Sequence, residues 1–217
     1  MPRLKHIHLE GYPYFITTTT REKIKVFSEQ KWADSLLSCL YYGRENNWYL
    51  LLSFVIMPEH LHLIVVPQTK NISQIMKAIK GYSARIMMRD KNVPPIHGKD
   101  IMMRDKNVPP IHGKDIMMRD KNVPPIPGKD RRGFPTQHNN SLWQEGFYDY
   151  ILDTEGKLLT KIKYIEENPV RAGLVSEAEF YRYSSAHKQN SVDLEIYLNK
   201  KDAGQECPAY PAQERQL

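Results

Sequence analysis

The stretch W-Y-L-L-L-S-F-V-I-M-P-E-H-L-H-L-I-V-V, residues 48–66, decides the architecture. Trp48–Ile56 is an apolar run of strand length, broken only by Ser53, as a strand buried on both faces requires. Met57-Pro58-Glu59 is a turn. Leu61–Val66 is again apolar and β-branched, so a second strand follows at once and the pair forms a hairpin. His60 and His62 interrupt the second strand. Side chains at i and i+2 leave a strand on the same side, so both imidazoles face one way, close enough to share an ion. Buried imidazoles need partners. A metal is one such partner, and ordinary hydrogen bonds at a strand end are the other.

Outward from the hairpin, Tyr14–Thr20 (Y-F-I-T-T-T-T) reads as a strand. Ser28–Arg44 carries Trp32, Leu36, Leu37, Leu40 and Tyr41 on a helical stripe. Residues 71–88 repeat apolar side chains at helical spacing, with Asn71 or Ser73 as N-cap. Phe147–Leu152 is a further strand, and Thr154–Asn168 a helix ended by Pro169. The order β-α-β-β-α-β-α predicts an α+β fold. Its core is a ferredoxin-like β-α-β-β-α-β unit with an antiparallel sheet and helices on one face, extended by a C-terminal helix.

Residues 86–130 hold three tandem copies of a 15-residue unit, I-M-M-R-D-K-N-V-P-P-I-H-G-K-D, the last with Pro127 in place of the histidine found at His97 and His112. A Pro-Pro pair and a glycine in each copy break helices and prevent solenoid stacking. The block is expected to be an expanded linker within one domain spanning 1–188. A basic arm is the alternative. From 189 to 217 apolar residues are few, so a mobile tail is expected.

Lys and Arg number 31 against 25 Asp and Glu, for a net charge of +6. That excess is compatible with nucleic acid without requiring it. The two cysteines, Cys39 and Cys207, form neither a disulfide framework nor a zinc spacing. No signal-peptide pattern and no run near the roughly 20 apolar residues of a membrane span occur. These features predict a cytosolic protein without membrane contact.

The last helix supplies a tyrosine. Tyr164 and Asn168 are four apart and share a helix face. Taken singly, Tyr164 reads as a half-buried, satisfied tyrosine and Asn168 as an ordinary helix terminus. Together with M-P-E-H-L-H (57–62), W-Q-E-G-F-Y-D-Y-I-L (143–152), Y-I-E-E-N-P-V-R-A-G-L-V (164–175) and Y-R-Y-S-S-A (181–186), they form an ordered set. It resembles the HUH single-tyrosine transposases, and among them the REP-associated tyrosine transposases. The resemblance runs from about residue 5 to 188, apart from the repeat block, which the family replaces with a short connection.

The resemblance implies a metal-dependent single-stranded DNA endonuclease and strand transferase. Its sites would be associated with hairpins, and its intermediate would be a 5′-phosphotyrosine in a bacterial, nucleoid-associated setting. It implies Tyr164 as nucleophile and His60, His62 and Asn168 as ligands of Mg²⁺ or Mn²⁺, with no nucleotide cofactor. A monomer with its site in cis is expected, a homodimer with the tyrosine helix in trans being the alternative. A domesticated hairpin-binding protein that no longer cuts is the competing reading.

The chemistry also stands on the residues. A tyrosine hydroxyl can attack a phosphodiester and conserve its bond energy in a covalent adduct. Two imidazoles plus an amide oxygen leave coordination positions open for phosphate oxygen and water. Among competitors, His6 and His8 lie outside the apolar run. Tyr148 and Tyr150 lack a polar residue one helical turn on. Glu59 reads first as a solvated turn residue. Candidate phosphate contacts are Lys77, Lys80 and Arg85 on the helix at 71–88, and Lys161, Lys163 and Arg171 around Tyr164. Trp143 and Tyr82 could stack on unpaired bases, although core packing suits them better.

Overall fold

The computed structural model describes residues 9–89 and 142–202. The contacts below belong to one compact unit drawn from residues 1–87 and 141–217; residues 88–140 form a separate unit, almost wholly outside the described residues. All of the repeat block beyond residue 89, together with His6 and His8, therefore lies outside the described residues.

Four strands form the sheet: β1 (Tyr14–Thr19), β2 (Tyr49–Ile56), β3 (His60–Pro67) and β4 (Tyr148–Ile151). Every pairing is antiparallel, in the order β2-β3-β1-β4, which is the expected α+β plan. The β2–β3 hairpin turns through Met57-Pro58-Glu59, closed by the Met57 N–H donating to the His60 carbonyl at 2.8 Å. A bulge between Leu51 and Ser53 shifts the β2 register.

Strand alternation divides the core in two. On one face, Tyr41 of α1 (Gln30–Glu45) meets Phe54 edge-on at 6.3 Å. The buried stripe of α1 is Trp32, Ala33, Leu36, Cys39, Leu40 and Gly43. Gly43 is required by close approach: a Cβ there would fall 2.6 Å from the Tyr49 hydroxyl, which donates to the Leu40 carbonyl. Helix α2 (Ile72–Arg89) buries Ile72, Ile75, Met76 and Ile79, and an Asn71–Gln74 capping pair fixes its start.

On the other face lie Phe15, Val55, Ile64 and Val66, covered by Leu158, Ile162 and Ile165 of α3 (Glu155–Glu166). Each such aliphatic side chain contributes about 1.5–3 kcal/mol when fully buried. The Thr154 hydroxyl caps α3 by accepting from the Lys157 N–H.

Two expectations need correction. Pro169 does not simply end the last helix. The helix breaks at Glu167, and a short α4 (Asn168–Arg171) restarts with Pro169 in its first turn, where a missing N–H costs nothing. Gly173, at φ +68°, then terminates α4. The segment from 189 is also not simply a tail, because α5 (Leu194–Asp202) places Tyr197 in the α3-side core. Asp193 holds it there by accepting from the Arg44 Nε and Nη2 and from the Leu51 N–H at 2.6–2.9 Å.

The motif Y-R-Y-S-S-A seals the open edge of β2. Tyr183 O accepts from Ile56 N–H, Ser185 N–H donates to Phe54 O, and the Tyr181 hydroxyl donates to Ile56 O. Covering an edge in this way removes a template for aggregation. Among the described residues, no helix is long and apolar enough to cross a membrane.

Candidate active site

The site lies on the α3 face of the sheet. His60 and His62 project there from β3 with ring centroids 4.7 Å apart. Across the ladder, His62 is paired with Thr17, whose Oγ1 lies 2.8 Å from His62 Nδ1. Glu59 Oε1 lies 3.2 Å from His60 Nδ1. A carboxylate can only accept, so His60 carries its proton on Nδ1 and keeps a lone pair on Nε2. The Thr17 contact allows the same tautomer in His62.

Burial pushes the His62 imidazole down to about 3, helped by the neighbouring His60, Lys161 and Arg171. Burial also lowers His60, against the opposing pull of Glu59. Both rings are thus neutral at pH 7, the form that ligates metals. Oriented Nδ1 partners and neutral rings fit a divalent ion at the two Nε2 atoms. Among the described residues, no three His, Cys, Asp or Glu side chains converge as a metal cluster.

Tyr164 comes to this pair from α3, its ring 5.6 Å from that of His62 and 6.1 Å from that of Phe15. Phe15 also stacks on His62 at 5.4 Å. Two cations flank the tyrosine. Lys161 Nζ stands 5.1 Å from its ring centroid, and the Arg171 guanidinium 4.5 Å. Arg171 Nη2 also donates to the Tyr164 carbonyl at 2.6 Å, tying α4 back to α3. Asn168 opens α4 one turn after Tyr164, half-buried, its side chain making no hydrogen bond among the described residues.

The other predicted cations part company. Lys163 is exposed and pairs with Glu167 at 3.7 Å. Lys77 is exposed on α2. Lys80 is committed to the fold, donating to the carbonyls of Gln144 and Gly146 at 2.7 and 2.6 Å. Arg85 has a buried Nε with no hydrogen-bond partner among the described residues. Trp143 is a core residue, its ring tilted against Phe27 at 5.3 Å and its Nε1 donating to Ser83 Oγ at 3.0 Å. Glu59 does more than line a turn, since it orients His60. Thr17 and Phe15 were invisible as site residues in the sequence. Only the β1–β3 register singles them out from the surrounding threonine-rich strand.

The family model of the IS200-like transposases matches residues 9–99, the segment holding β1, the histidine hairpin and α2. This segment is similar to an IS200-like transposase domain. The complete chain is similar in structure to a REP-associated tyrosine transposase bound to a REP hairpin. That alignment has a TM-score of 0.57 and 16% identity and covers 100% of this chain and 99% of the other. At that identity the likeness speaks for the fold alone, and the shared fold runs past residue 99 to the helix carrying Tyr164. A candidate transposase from Deinococcus radiodurans R1 aligns with 18% identity and a TM-score of 0.39, over 77% of this chain and 97% of the other. No curated protein sequence matches the chain.

Proposed function

We propose that this transposase-family chain is a metal-dependent endonuclease and strand transferase acting on single-stranded DNA beside hairpins. The observation that carries the reading is the contact of Tyr164 with His62, at 5.6 Å within one chain, between the cations of Lys161 and Arg171. The similarity to a hairpin-bound REP-associated transposase supports hairpin DNA as the partner.

His60 and His62, through Nε2, and the Asn168 amide oxygen would hold Mg²⁺ or Mn²⁺. When bound, the ion would neutralise charge on the scissile phosphate and help to position it. Lys161 and Arg171 offset the remaining phosphate charge from the tyrosine side. Tyr164 Oη attacks phosphorus, forming the O–P bond as the P–O3′ bond breaks. The phenolic proton leaves to solvent, and the departing 3′-oxygen takes up a proton. The product is a 5′-phosphotyrosine and a free 3′-hydroxyl. Attack by a 3′-hydroxyl on the same phosphorus reverses these steps, so strands can be rejoined without an external energy source.

The test is adduct formation. With Mn²⁺ and a palindrome-bearing oligonucleotide, the native chain should give a band resistant to denaturing electrophoresis, and Tyr164→Phe should give none. An adduct retained by Tyr164→Phe overturns the nucleophile assignment. Specific hairpin binding with no adduct at any metal concentration selects the non-cleaving hairpin binder instead.

A further inference from the structure

Beside the tyrosine, on the same sheet face, lies an open cleft of about 270 Å³ lined by Phe15, Tyr148, Tyr150, Lys157, Thr160 and Lys161. The cross-strand register places it. Thr17 pairs with His62 on one side and Tyr148 on the other, while Phe15 pairs with Ile64 and Tyr150. Tyr148 therefore stands in the same row as His62, two strands away, or about 10 Å at ordinary strand spacing. Phe15 and Lys161 form the shared wall: Lys161 Nζ lies 4.8 Å from the Phe15 ring on the cleft side and 5.1 Å from the Tyr164 ring.

The lining is unusual for a solvent-facing surface. Tyr148 is 54% exposed and Tyr150 39%, so two aromatic rings face water side by side. Lys157 Nζ lies 5.9 Å from the Tyr150 ring, although Asp153 at 2.6 Å offsets its charge. Lys161 has no ion-pair partner among the described residues. The volume is at or below the roughly 300 Å³ lower bound of drug-sized pockets, which suits one planar ring system. Exposed aromatics with an uncommitted cation between them and the nucleophile match the chemistry of an unpaired nucleotide: a base to stack and a phosphate to pair.

We infer that this cleft holds the base of an unpaired nucleotide adjoining the scissile phosphate, stacked on Tyr148 and Tyr150, with Lys161 on the intervening backbone. This rests on the proposed single-stranded DNA substrate and adds the position at which the strand is gripped. Tyr148 and Tyr150 are thus stacking residues rather than alternative nucleophiles.

The experiment is equilibrium binding by fluorescence anisotropy in EDTA, which separates binding from cleavage. The probes are an oligo(dT) chain of about fifteen nucleotides and an abasic chain of the same length. The native chain should prefer oligo(dT) by about tenfold, the scale of one stacked base. The Tyr148→Ala/Tyr150→Ala variant should lose that preference while binding the abasic chain as before. Tyr148→Phe/Tyr150→Phe should keep it. Both positions are exposed, and circular dichroism confirms that the variants are folded. A preference that survives the double alanine change overturns the inference, as does equal loss in the phenylalanine variant. So does competition by free thymidine monophosphate at concentrations matching the oligomer, which would make the cleft a mononucleotide site. An intact base preference with no covalent adduct would instead count against the proposed cleavage alone.

Discussion

Thr17 Oγ1 and His62 Nδ1 lie 2.8 Å apart across the β1–β3 ladder, and this contact sets which nitrogen His62 turns to the site. Thr17→Val preserves the side chain's shape but removes the hydroxyl. Loss of such an orienting partner typically costs about 10–100-fold in metal affinity. Calorimetric titration with Mn²⁺ should show a fall of that order, with Thr17→Ser near the native value. Unchanged affinity in Thr17→Val would mean that the hydroxyl does not orient the ring.

Arg171 touches Tyr164 twice, through its carbonyl and over its ring. Arg171→Ala should slow adduct formation by roughly a hundredfold, the scale of losing one preorganised donor at a reacting oxyanion. Arg171→Lys should recover only part of the rate, because an ammonium keeps the charge but not the planar fork. Single-turnover rates on the palindromic oligonucleotide decide it. Equal rates in Arg171→Ala and the native chain would remove Arg171 from the chemistry.

Acid should destabilise the metal-free fold through His62. The folded imidazole is held down to about 3, whereas the unfolded side chain titrates near 6.5. Between those values the unfolded chain binds the extra proton. Stability is therefore fully present above about pH 6.5 and falls as pH drops toward 3, by up to about 1.4 kcal/mol per pH unit. Urea unfolding in EDTA at several pH values should show the native chain losing ground relative to His62→Gln across that window. Parallel curves for the two proteins would contradict the assignment.

Asp193 is buried and takes three donors from Arg44 and Leu51, joining α1, β2 and the start of α5. Asp193→Ala removes the acceptor of Arg44 Nε and Nη2, leaving the guanidinium only Ser191, and strips the interior Leu51 N–H of its partner. Leaving a buried hydrogen-bonding group such as the Leu51 N–H unsatisfied costs about 1–3 kcal/mol. The urea midpoint should drop accordingly. A shift below the error of the measurement would show that α5 contributes nothing to the unit.

Much of this was readable in the chain because it depends on local periodicity. The run M-P-E-H-L-H-L-I-V-V dictates a buried strand with two imidazoles on one side, and Leu158, Ile162 and Ile165 mark the buried stripe of α3. What escaped depends on pairing between distant segments. Residues 181–185 seal β2 with backbone groups, which leave no side-chain signature. Lys80 looked like a phosphate contact but is held by two loop carbonyls. Helix α5 was hidden by a polar composition in which Tyr197 is buried in the core and Leu194 and Leu198 pack at its edge. Tyr148 and Tyr150 were legible as aromatics on a strand, yet their place beside the site required the β1–β4 register.

The meeting of Tyr164 and His62 within a single chain also sets a stoichiometry. On the proposed chemistry, each molecule would offer Tyr164 at one pair of imidazoles and would carry one severed DNA end at a time. Exchanging two ends would then take either two molecules acting together or two successive rounds, the second starting only after a 3′-hydroxyl had released Tyr164 from the first.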